Sequence, residues 1–116
     1  DAKEKGLLSH LGYKVGKSSP LSKEGRRRKL RKALKCDASA LQGLASEEER
    51  REWGAAESRE RLLKMAHSIA AFCRNSRRKD QDFSVAIAHW EEDLAWLKET
   101  YYQPRASSFP WPLPTE

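Results

Sequence analysis

The sequence predicts an all-α fold. Its centre is an antiparallel helical hairpin at about 59–78 and 84–102, joined by two or three shorter N-terminal helices and an extended proline-rich tail. Three observations predict it. Leu62, Met65, Ile69 and Phe72 are spaced 3, 4 and 3, the repeat of a helix that buries one face. Phe83, Ile87, Trp90, Leu94, Leu97 and Tyr101 continue that repeat at spacings of 4, 3, 4, 3 and 4. Between the stripes, Arg77-Arg78-Lys79-Asp80-Gln81-Asp82 is short and polar, so the two helices meet as antiparallel neighbours. No segment reads as a strand, and no internal repeat is present.

From the N-terminus, a helical turn or two is expected over Lys3–Leu11, stopping at Gly12, because glycine just past the last apolar residue is a C-terminal helix signal. A basic helix starts behind Pro20 with Ser22 as N-cap and runs to about Lys35; Gly25 weakens its first turn by up to ~1 kcal/mol relative to Ala. Residues 46–53 carry a capping box, Ser46 with Glu49, and place Glu47, Glu48 and Glu49 at the positive end of the helix dipole. Trp53-Gly54 ends that helix, with Trp53 turned inward. Ser84 is the expected N-cap of the second hairpin helix, where Phe83 can staple against Ala88. Pro104, Pro110, Pro112 and Pro114 forbid a regular helix beyond. The division is therefore one helical domain, 1–103, and an extended tail, 104–116, whose Phe109 and Trp111 either fill a groove of the hairpin or serve as a proline-rich ligand for another domain.

The chain has 116 residues, 38% hydrophobic and 34% charged, enough for one core and too few for two. The ten large seam residues are each worth about 1.5–3 kcal/mol if buried, which is marginal against chain entropy. The N-terminal helices or a partner must therefore cover the hairpin's other side. No apolar run approaches the length that crosses a membrane, and no secretory segment is visible. The chain opens on Asp1 rather than Met, from which a fragment or a processed or trimmed chain is expected. Cys36 and Cys73 stand far apart, and both are expected as reduced thiols in a cytoplasmic protein.

Charge is arranged in blocks. Counting Lys and Arg against Asp and Glu, residues 1–36 carry +9, 37–58 carry −4, 59–79 carry +6 and 80–116 carry −5, which sums to the net +6. The densest run is Arg26, Arg27, Arg28, Lys29, Arg31, Lys32 and Lys35, with only Leu30, Ala33 and Leu34 as an apolar stripe. A helix this basic needs an anion near it: nucleic-acid phosphate, an acidic protein, a membrane surface, or the acidic stretches 47–52 and 91–93 of its own chain. The apolar face is too narrow for secure membrane insertion. A second cluster, Arg74, Arg77, Arg78 and Lys79, ends the first hairpin helix, where cations suit the negative end of the dipole; four exceed what capping needs.

Other chemistry is thin. His10, His67 and His89 with the two cysteines show none of the short spacings of a metal site, so neither metal nor cofactor is expected. Cys73 with His89 is a conceivable nucleophile pair, and Cys73 reads more simply as a small buried apolar residue. Glu91, Glu92 and Asp93 point in three directions on a helix and read as solvated or as partners for nearby arginines. Trp90 falls on the seam; Trp96 lies off it, as a docking surface or as cover for the N-terminal segment. There is no phosphate-binding glycine loop and no nucleophile elbow.

Leu11-Gly12-Tyr13-x-Val15-Gly16, the Arg-rich helix after it, and Trp90-Glu91-x-Asp93-Leu94 leading into Tyr101-Tyr102 resemble uncharacterised small helical domains of bacterial proteins. The resemblance assigns no activity and no site residue. The expectation from the residues is a non-enzymatic domain that binds nucleic acid through the phosphate backbone with Arg26, Arg27, Arg28, Lys29, Arg31 and Lys32, and with Arg74, Arg77 and Arg78 as a further patch. The alternative is an interaction or oligomerisation module whose basic helix docks an acidic partner.

Overall fold

The computed structural model describes residues 8–9, 11–37, 39, 46–105 and 109–114. Helices α1 (Lys23–Lys35), α2 (Glu47–Trp53), α3 (Arg59–Arg77) and α4 (Ser84–Leu97) account for most of them, and α4 runs on through a widened turn at Lys98–Tyr102. In that turn Gln103 N donates to Lys98 O at 2.9 Å, five residues back. Among the described residues there is no strand, and no helix is long and apolar enough to cross a membrane.

The hairpin forms because α3 and α4 each carry an apolar face and only residues 78–83 separate them. Leu62, Met65, Ala66, Ile69 and Ala70 of α3 meet Leu94 and Leu97 of α4 in one core, and Leu30, Ala33 and Leu34 of α1 close it from a third side. Trp53, at the end of α2, is also buried. Phe72 and Trp90 pack across the hairpin as a tilted ring pair with centroids 6.0 Å apart.

Local signals set the helix ends. Ser22 Oγ accepts from Gly25 N and Ser58 Oγ from Arg61 N, both at 3.1 Å, the side-chain N-cap that satisfies an otherwise orphan donor. The expected N-cap at Ser84 is corrected. Ser84 is the first helical residue, Phe83 occupies the cap position without a capping side chain, and Asp82 Oδ1 accepts Ser84 N at 3.0 Å. That bond from the backbone holds the Asp82 carboxyl below its usual range.

The expected helix at Lys3–Leu11 lies largely outside the described residues, but its end is visible. Gly12 N donates to Ser9 O and Tyr13 N to Leu8 O, each at 3.0 Å, with Gly12 at φ 99°. This is a Schellman ending, which needs a left-handed residue and so favours glycine. The Glu49 half of the expected capping box falls on a side chain outside those described.

The loop after Tyr13 returns over α4. A Cβ on Gly16 would sit 3.6 Å from that of Ala86, which explains why Ala86 is buried although it is absent from the apolar stripe.

Candidate nucleic-acid interface

Helix α1 is pinned to the hairpin by two arginines that do different jobs. Arg26 is 2% exposed. Its Nε donates to Asp93 Oδ2 at 2.8 Å and its Nη2 to Glu92 Oε1 at 2.5 Å. Tyr13 donates its hydroxyl to the same Asp93 oxygen at 2.7 Å. Burial pushes the Asp93 carboxyl up against the lowering pull of Tyr13 and Arg26, and burial together with the Asp93 charge raises the Tyr13 phenol well above its usual value. Arg26 was expected to contact phosphate, and that expectation is corrected: its guanidinium is consumed by two carboxylates inside the protein. Of the two expectations for Asp93, solvated or partner of a nearby arginine, the second holds: it is fully buried and pairs with Arg26.

Arg61 works at the other end of α1. Its Nη1 donates to Ala33 O and Leu34 O, both at 3.3 Å, and to Cys36 O; its Nη2 donates to Gly54 O at 2.9 Å. The last carbonyls of a helix lack intrahelical donors and carry the negative end of its dipole. One fully buried guanidinium supplies both the donors and the charge. Glu57 N adds a further bond to Leu34 O at 2.7 Å.

With these anchors fixed, the remaining cations of α1 sort by position. Leu30, Ala33 and Leu34 join Arg26 on the buried side. At 100° per residue, Arg28, Arg31, Lys32 and Lys35 fall within an arc of about 100° on the opposite side, and all four are exposed. Arg27 and Lys29 flank the arc, half-buried. The guanidinium carbons of Arg27 and Arg31 lie 5.4 and 5.7 Å from the centroid of Trp96, and Tyr101 meets Trp96 edge-on at 5.7 Å. Trp96 thus faces α1, with two of that helix's arginines held over the ring by cation–π contact.

The acidic stretches neutralise little of this helix. Among the described residues, Glu47 pairs with Arg51, Glu52 with Lys64 and Glu91 with Arg77, and Arg26 alone represents α1 in an ion pair.

The second cluster lies elsewhere. Arg74 Nη1 donates to Leu113 O at 2.9 Å and Arg77 Nε to Pro114 O at 3.3 Å, so both hold the tail. Arg78 is exposed. Arg77 grips Glu91, and Glu91 and Asp93 are about 200° apart around α4. Helix α1 and the Arg77 cluster thus sit on opposite flanks of α4.

His89 has a structural partner. Its Nδ1 accepts from Gly16 N at 3.1 Å, which ties the N-terminal loop to α4. Burial and then the charge of Arg26 hold the imidazole below its usual value. Burial pushes the Cys73 thiol up, the reverse of what an activated nucleophile requires.

Asp93 belongs to the acidic stretch 91–93 that the sequence offers as an anion for the basic helix, whereas nothing singles out Arg61, which acts across a long separation and shows only as a base on an otherwise apolar helix face. No protein-family model, curated protein or solved structure matches this chain.

Proposed function

We propose that this chain is a non-catalytic nucleic-acid-binding domain that holds the phosphate backbone on the exposed face of α1. One observation carries the proposal: Arg28, Arg31, Lys32 and Lys35 share one solvent-facing arc, while the ion pairs among the described residues take only Arg26 from that helix. Four cations over a helical rise of about 10 Å give a compact charge that releases counterions when it meets phosphates. Arg27 and Lys29 extend it at the edges. Contacts of this kind position a protein without reading sequence. Arg74, Arg77 and Arg78 are left out of the proposed surface, since α4 separates them from it.

The test is affinity for a duplex and for a single-stranded oligonucleotide across a salt series. Each duplex phosphate contacted contributes about −0.9 to the log–log slope, so four contacts give about −3.6. Arg28→Ala or Lys32→Ala should each flatten that slope by about one unit. No binding at low salt would overturn the proposal in favour of an acidic protein partner on the same four cations.

A further inference from the structure

The tail is held almost entirely by donors. Besides the bonds from Arg74 and Arg77 to the carbonyls of Leu113 and Pro114, the Tyr102 hydroxyl donates to the carbonyl of Phe109. This suits the chemistry of the segment. Proline at 110, 112 and 114 removes the N–H of every second residue, so the chain offers carbonyl acceptors and few donors. Each residue before a proline is kept out of the helical region. The segment is therefore extended before it docks, and docking costs little conformational entropy.

Side chains add a second point of recognition. The Tyr102 ring lies 4.9 Å from Phe109 and 4.8 Å from Trp111, centroid to centroid, and Pro112 is buried. Yet the fit is incomplete. A solvent-open cleft of about 190 Å³ runs along the tail beside Glu91, Leu94, Ala95 and Lys98, and Leu113 stands 66% exposed. The groove could thus accept more apolar volume than its present occupant supplies.

From these features we infer that the groove formed by α3, α4 and Tyr102 is a receptor for an extended, proline-alternating peptide of a partner protein, with this chain's own tail as its cis occupant. Three donors match a donor-poor ligand, the Tyr102 ring packs on its apolar residues, and the open cleft beside the tail leaves room for a partner with a bulkier side chain to displace it. This holds independently of phosphate binding on α1.

The probe is a fluorescein-labelled peptide of sequence 109–114, titrated against the full chain. The wild type should bind it weakly, because the tail competes and lowers the fraction of open groove. Trp111→Ala should tighten binding at least ten-fold, and adding Arg74→Ala with Arg77→Ala should reverse that gain. A peptide with its three prolines replaced by alanine should bind at least ten-fold more weakly. If Trp111→Ala loses its helical circular dichroism, Pro110→Ala/Pro114→Ala takes its place, since it frees the tail without removing a ring. Equal affinity for wild type and opened variant, or indifference to the two arginines, would overturn the inference. So would self-association of the opened variant that the peptide cannot compete away, which would indicate exchange of tails between copies.

Discussion

Arg26 and Asp93, 67 positions apart, are joined Nε to Oδ2 at 2.8 Å where solvent does not reach. This bond decides how α1 lies. A helix bearing seven cations between Arg26 and Lys35 turns its one internal cation onto a buried carboxylate, which leaves Arg28, Arg31, Lys32 and Lys35 facing out.

Breaking that pair from either side should be costly. A buried charge that loses its partner destabilises by about 3–5 kcal/mol, whereas replacing both partners by apolar groups is often near neutral. Arg26→Met and Asp93→Leu should therefore each lower stability by about that amount in urea unfolding. The double variant Arg26→Met/Asp93→Leu should lose far less than the two single losses added. Additive losses would show that the two groups do not depend on each other.

Arg61 should matter as much, for a different reason. Arg61→Met leaves the carbonyls of Ala33, Leu34, Cys36 and Gly54 without that donor. Hydrogen bonds to a charged group are worth roughly 1.5–3 kcal/mol each, so a loss of at least about 3 kcal/mol in thermal or urea unfolding is expected. Arg61→Lys should recover only part of it, because one ammonium cannot span the end of α1 and Gly54 as a planar guanidinium does. Full rescue by lysine would mean that charge alone, without the fork, closes the helix.

The all-α class was legible because stripes at helical spacing depend only on neighbours within two turns. Leu62, Met65, Ile69, Leu94 and Leu97 all lie on those stripes and all are buried. The face of α4 was harder to read. Its buried side contains Ala86 and Asp93, whereas Phe83 and Ile87 of the apparent stripe are only half-covered. The difference arises from distant parts of the chain: the loop at Gly16 covers Ala86, and Arg26 with Tyr13 makes it possible to bury Asp93. A periodicity argument cannot register partners that far away in sequence. The same limit hid which cations of the basic run face inward, since the candidate surface depends on where α1 docks.

Acidification should loosen the attachment of the N-terminal loop. The His89 imidazole is neutral in the fold and accepts Gly16 N–H, and its pKa lies below the unfolded value near 6.5 because of burial and Arg26, opposed by Asp93 and Glu92. As pH falls the unfolded chain takes up the proton first. The contribution of His89 is complete above about 6.5, declines as pH drops through the folded value, and levels off below it. The measurement is the stability difference between wild type and His89→Gln, followed from pH 8 to pH 5. It should move against the wild type as the pH falls. The raised carboxyl of Asp93 acts with the opposite sign, favouring the fold as it protonates, and its presence in both proteins leaves His89 as the source of the difference. A difference independent of pH would mean that the ring can accept its proton without releasing the loop.

Trp96 provides the sharpest separation between fixing arginines and stacking bases. Arg27 and Arg31 both approach its ring, and a cation–π contact is worth about 0.5–1 kcal/mol at an exposed site. Trp96→Leu should therefore lower stability by about 1–2 kcal/mol while leaving every cation of α1 in the chain. If phosphates are the ligand, the salt slope stays unchanged and the ratio of duplex to single-strand affinity is preserved. If bases stack on the indole, single-strand affinity falls selectively, since one stacked base contributes roughly 1–3 kcal/mol. Lys32→Ala is the complementary variant, with no aromatic contact to lose and one solvent-facing charge removed. It should leave the unfolding free energy within about 0.5 kcal/mol of the wild type and flatten the salt slope by about one unit. Stability lost at Trp96 and salt dependence lost at Lys32 would together assign the indole to positioning and the exposed arc to binding; the reverse pattern would move the site to the ring.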